Sequence, residues 1–94
     1  MSDAPKEMAE RTRHPAAGPA MPLALASKGQ EVVLASVHGG RGLQHRLAEM
    51  GLTPGVRFKV IAKGRPGPFI VLLRDSRLIL GHGMVHRIYV CPAQ

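Results

Sequence analysis

Aromatic residues are nearly missing from this 94-residue chain: there is no tryptophan, one tyrosine and two phenylalanines. The only rings available are those of Phe58, Phe69 and Tyr89, so any core must be built from Val, Ile and Leu. Cysteine is reduced to Cys91, and one thiol cannot close an internal disulfide, which removes the disulfide-stapled secreted class. No apolar run approaches the ~18 residues that a membrane-spanning helix needs. At the N-terminus, Asp3, Lys6, Glu7, Glu10, Arg11 and Arg13 interrupt any apolar stretch that could serve as a signal peptide. These absences predict a cytoplasmic protein with no membrane insertion.

Catalytic signatures are missing as well. There is no G-x-x-x-x-G-K-[ST] phosphate loop, no H-E-x-x-H and no nucleophile elbow. Beyond residue 28 the acidic residues are only Glu31, Glu49 and Asp75, and no two of them are close in sequence. A chain of this length makes one small domain with a modest core, without room for a cleft between two lobes. It reads as not an enzyme.

What is present is positive charge. The formal net charge is +7, and nearly all of the excess falls after residue 28. Such a balance favours anionic partners: nucleic acid, an anionic membrane face or an acidic protein surface.

Residues 1–22, with Pro5, Pro15, Pro19 and Pro22 and no sustained apolar period, read as a disordered N-terminal tail. The folded domain is expected over residues 23–92. Leu23 and Leu25 precede a Lys28-Gly29 turn, and residues 30–37 then read as a first strand. After Gly39-Gly40-Arg41-Gly42, a flexible connection, Leu43, Leu47 and Met50 fall at i, i+4 and i+7 on one helix face. Gly51 stands where a left-handed helix-terminating residue is wanted, and Leu52 where it can pack back onto the last turn. Thr53-Pro54-Gly55 is a type II turn signal.

Val56, Phe58, Val60 and Ala62 then alternate with Arg57, Lys59, Ile61 and Lys63, a half-buried strand with a mainly basic outer face. Residues 64–68 make a loop, and residues 69–73 and 77–80 make a hairpin across Asp75-Ser76, apolar enough to suggest burial on much of both faces. Residues 81–86 read as a turn or a single helical turn, and residues 87–90 as a last strand stopped by Pro92. The expected fold is mainly β: a small SH3-like β-barrel of five to six strands with one short helix between the first two main strands. Closure would remove its exposed edges.

The run Arg46-Leu47-Ala48-Glu49-Met50-Gly51-Leu52-Thr53-Pro54-Gly55 resembles the R-L-x-x-(M/L)-G-(L/M)-x-P-G signature of FeoA, the ferrous iron transport protein A family. Gly67-Pro68, Leu78-Ile79-Leu80 and the Gly83-Met84 to Ile88-Tyr89-Val90 ending come after it in the family's order. The likeness extends to a barrel domain of some iron-dependent repressors. The resemblance implies a non-enzymatic cytosolic accessory of ferrous iron uptake that binds the cytosolic region of FeoB, the membrane GTPase transporter, and modulates it. Leu47, Met50, Gly51, Leu52 and Gly55 each have a structural reason in the motif. The exposed remainder, Arg46, Glu49, Thr53 and Pro54, is the expected partner surface.

Other readings attach to other residues. His82 and His86, four apart, are the candidate pair for a weakly held divalent transition metal, Fe2+ or Zn2+, in a metal-sensing role. Gly81 and Gly83 disfavour a helix there, and no Cys pair or carboxylate is near, so exposed histidines in a basic turn are the commoner case. No cofactor is firmly expected. Cys91 reads as an accessible terminal thiol. The basic set Arg41, Arg46, Arg57, Lys59, Lys63, Arg65, Arg74, Arg77 and Arg87 suits a nucleic-acid-binding barrel, but single-strand readers usually interleave aromatics for base stacking, which makes nucleic acid the secondary partner class.

Overall fold

The computed structural model of the chain describes residues 18–64 and 67–93. Its elements in order are β1 (Met21–Pro22), a 3-10 turn (Leu23–Leu25), β2 (Glu31–Val37), α1 (Arg41–Glu49), β3 (Arg57–Lys63), β4 (Phe69–Leu73), β5 (Ser76–Leu80), α2 (His82–Val85) and β6 (Ile88–Pro92). The strands form one antiparallel sheet in the order β1-β6-β2-β3-β4-β5. The mainly β class, the strand number and the helix between the first two long strands are as expected.

Closure is not. Among the described residues the order is open, with β1 and β5 at its edges; β1 has two residues and one of them, Pro22, has no N–H to donate. Side chains bridge the ends instead: Leu23 and Ala26 at one end and Phe69, Leu80 and Val85 at the other belong to a single buried cluster. The domain boundary also moves. Met21 and Pro22, assigned to the tail, pair with Val90 and Tyr89, while residues 1–17 lie outside the described residues.

The strand patterns follow the alternation with two adjustments. In β3, Phe58 and Val60 are buried and Lys59 is exposed, and an irregularity between Val60 and Ala62 leaves both Ile61 and Ala62 half-buried. β5 is an edge strand and is not buried on both faces: Ile79 is 66% exposed. The hairpin turn falls on Arg74-Asp75, one residue earlier than expected, because Ser76 pairs with Leu73. Arg74 takes the positive φ (57°) that this tight connection needs.

The helix has nine residues, too short to persist alone in water, and it depends on packing. Leu47 is fully buried, and Leu43 and Met50 lie against the same core. Complete burial of one such leucine is worth about 1.5–3 kcal/mol. Among the described residues no polar or charged side chain is buried.

Candidate functional site

The motif residues close the end of α1 and set the path of the chain into β3. Gly51 takes φ +93° and its N–H donates to the Ala48 carbonyl at 2.9 Å, while the Leu52 N–H donates to the Leu47 carbonyl at 2.8 Å. This is the Schellman closure, with Leu47 and Leu52 both in the core. A side chain at Gly51 would also meet Leu73 Cδ2 at 2.9 Å. Thr53, Pro54, Gly55 and Val56 then form the expected turn, with φ +95° at Gly55 and the Val56 N–H donating to the Thr53 carbonyl at 3.1 Å. The turn is laced to β2: the Gly55 N–H donates to the Leu34 carbonyl at 2.7 Å, and the Leu34 N–H to the Val56 carbonyl at 2.9 Å. At the other end of the helix the chain turns tightly, since a Cβ on Gly39 would stand 2.9 Å from Leu43 Cδ2.

This arrangement leaves a cleft of about 600 Å³ between three walls. β2 contributes Ala35, Ser36 and Val37; α1 contributes Arg41, Gln44, His45 and Ala48; the turn contributes Thr53 and Pro54. Its volume lies in the range of ligand-binding clefts. Gln44 Nε2 reaches across to the Val37 carbonyl at 3.4 Å. No carboxylate lines the cleft among the described residues, although Glu49 Oε2 lies 3.4 Å from His45 Nε2 just outside it.

The four residues expected to form the partner surface are therefore divided. Thr53 and Pro54 line the cleft. Arg46 is exposed on the helix face turned away from it, and Glu49 is exposed at its rim, beside His45. Leu47, Met50, Gly51, Leu52 and Gly55 take the internal or turn positions given to them, with Leu52 also forming part of the cleft floor. Reasoning from sequence singled out Arg41 only within the basic set and did not place Arg41, Gln44, His45 and Ala48 together on one wall. Their i, i+3, i+4, i+7 spacing, a polar face opposite the buried one, was the signal available.

A second cleft, about 440 Å³, lies at the other end of the sheet between Ala24, Leu25, Lys63, Phe69, Val85, His82 and His86. The two histidines thus share one opening, on a four-residue helix that forms in spite of Gly83. Among the described residues no group of three or more His, Cys, Asp or Glu side chains comes together to hold a metal. Cys91 is half-buried within β6 and is not an open terminal thiol.

The basic residues are spread over several elements, and Arg65 lies outside the described residues. Arg57 pairs with Glu31 at 2.7 Å, a partly exposed bond of small energetic weight. The rings are committed elsewhere: Phe58 and Phe69 are buried, and Tyr89 packs against His38 with ring centroids 4.3 Å apart. No aromatic side chain is fully exposed to stack on a base.

A family model described as the FeoA domain matches residues 21–92. A protein of Methanocaldococcus jannaschii assigned as Fe(2+) transport protein A is 36% identical over 73 residues, which are 78% of this chain and 88% of that one. The crystal structure of an iron uptake regulatory protein (FeoA) superposes with a TM-score of 0.71 at 29% identity, covering 78% of this chain and 97% of the other. A manganese-dependent transcriptional repressor superposes with a TM-score of 0.72 at 20% identity over 81% of this chain and 43% of its own, a likeness of fold alone. The fold is the SH3-like one of these neighbours, with its sheet left open.

Proposed function

The chain belongs to the FeoA domain family, and on that premise we propose that it is a non-enzymatic cytosolic accessory of ferrous iron uptake, acting by docking on the cytosolic region of an FeoB-type membrane GTPase. Iron is the cargo of that system and not a resident cofactor of this chain. The observation that carries the reading is where the motif ends. Its apolar positions are used up in the core and in the helix closure, whereas Thr53 and Pro54 open onto the helix-side cleft. A turn held by four backbone hydrogen bonds around Leu52, Gly55 and Val56 presents these two residues rigidly, which lowers the ordering cost of an interface.

The surplus of positive charge suits an acidic docking partner and would raise the association rate more than the final affinity. The test is binding of the purified cytosolic region of the transporter to the wild type, to Thr53→Glu and to Arg46→Glu. Thr53→Glu is expected to weaken binding by about tenfold or more, equivalent to about 1.4 kcal/mol. Arg46→Glu, off the cleft, is expected to act mainly through charge and to lose its effect in high salt. Unchanged affinity for a folded Thr53→Glu variant would contradict the reading.

A further inference from the structure

The helix-side cleft contains a vacant position in the sheet. β2 pairs with β6 along its length to Val37, but with β3 only through Glu31–Val33, after which Leu34 is bonded to Gly55 and Val56. Beyond Leu34 the chain of the neighbouring position departs through Pro54 and Thr53 into the helix closure. Among the described residues, 35–37 are left with no strand on that side.

The hydrogen-bonding phase matters here. The register with β6 shifts between Leu34 and Ser36, which changes which residues face which neighbour. The His38 N–H donates to the Arg87 carbonyl at 2.7 Å, so His38 faces β6. Alternation then turns the N–H and C=O of Val37 away from β6 and into the cleft. The carbonyl agrees with this: among the described residues it meets the Gln44 amide, at 3.4 Å, at the long limit of a hydrogen bond. Ala35 and Ala48, with one-carbon side chains on two of the walls, leave the width of the cleft open.

We propose that this cleft accepts a short, extended, acidic segment of the partner protein, which adds as a strand beside residues 35–37 and exchanges backbone hydrogen bonds with Val37. The proposal deepens the docking function above and rests on it. Strand addition supplies affinity through main-chain bonds and leaves selectivity to the side chains of the walls. Here the walls carry Arg41 and no carboxylate among the described residues, the nearest one, Glu49, being engaged with His45 at the rim. On a chain of net charge +7 the complementary segment is therefore acidic where it meets Arg41. Pro54 and Thr53 would meet it at the end where the β3 position begins.

The test is amide hydrogen exchange of the full chain, alone and saturated with the purified cytosolic region of the transporter. Exchange of the Val37 amide is expected to slow by about tenfold or more in the complex, because a solvent-facing N–H gains an acceptor. The His38 amide, already bonded to Arg87, is expected to change little. In parallel, Arg41→Glu, at the first helical position where an acidic side chain does not oppose the helix dipole, is expected to weaken the complex and to flatten its salt dependence. A complex that forms while Val37 exchange is unchanged overturns the strand addition and leaves the docking function standing. Failure of any complex to form overturns both. Self-association of the chain that alone protects Val37 would assign the position to a second copy and also overturn the proposal.

Discussion

The two clefts at opposite ends of the sheet differ less in size than in what holds their walls. The helix-side cleft is framed by a strand edge, a nine-residue helix and a turn, joined by backbone hydrogen bonds of 2.7 to 3.1 Å. The histidine-side cleft is framed by a 3-10 turn, a four-residue helix and the ends of β3 and β4, and it is lined chiefly by side chains, with Leu25 left 67% exposed. Groups fixed by the backbone can present a partner with one geometry. Side chains on short elements adapt to what they meet, and two imidazoles with no third ligand among the described residues have little hold on a metal. The motif that marks the family frames the first cleft, lining it with Ala48, Leu52, Thr53 and Pro54 and using its other positions to hold the turn against the strand.

The largest expected effect comes from removing the anchor of the helical wall. Leu47→Ala is expected to cost about 2–5 kcal/mol of stability, read from urea unfolding, because it opens a cavity under α1. Leu25→Ala, in the wall of the other cleft, is expected to change stability by no more than about 0.5 kcal/mol. Equal losses would erase the contrast between the two walls.

Next in size is Gly51→Ala. A residue with a Cβ at φ +93° is strained by roughly 1–2 kcal/mol, and contact with Leu73 adds to it. Denaturant melts should show that loss together with weaker transporter binding, since Thr53 and Pro54 are aimed by the same closure. Retained binding with lost stability would separate the motif from the docking surface.

For the histidine-side cleft, the double variant His82→Ala, His86→Ala is expected to bind the transporter as the wild type does. Calorimetric titration with Zn2+ should give the same unsaturating signal for both proteins. A saturable one-to-one isotherm lost in the variant would reverse the ranking of the clefts. The smallest effect is expected at Arg74, which belongs to neither cleft. Arg74→Gly removes a left-handed arginine and is expected to raise stability by less than about 1 kcal/mol, since the added freedom of glycine in the unfolded chain offsets part of the gain.

Most of the fold was legible from local chemistry. Period-two burial in β2 and β3, the i, i+4, i+7 face of Leu43, Leu47 and Met50, and the positive-φ glycines at 51 and 55 all encode their conformation within a few residues. The failures were non-local. Nothing in Met21-Pro22 signals a strand, because its partner, Tyr89-Val90, lies almost seventy residues on. Ile79 looks like core by composition and is exposed because alternation puts it on the outer face of β5, opposite Leu78 and Leu80, a face with nothing over it among the described residues.

The candidate site was half legible for the same reason. Thr53 and Pro54 were found through the motif, but the third wall of the cleft, residues 35–37, becomes a wall only when the register shift in β2 turns Val37 outward. Arg46 and Glu49 were selected for exposure and charge, and exposure does not say which side of a helix faces a neighbouring strand.

The docking surface is tested most directly by the footprint of the transporter's cytosolic region on the isotopically labelled protein, monitored through amide chemical shifts. The prediction is that perturbations concentrate on residues 35–37, 41–48 and 53–54. A footprint centred on residues 24–25 and 82–86, with the helix-side cleft unperturbed, would contradict it.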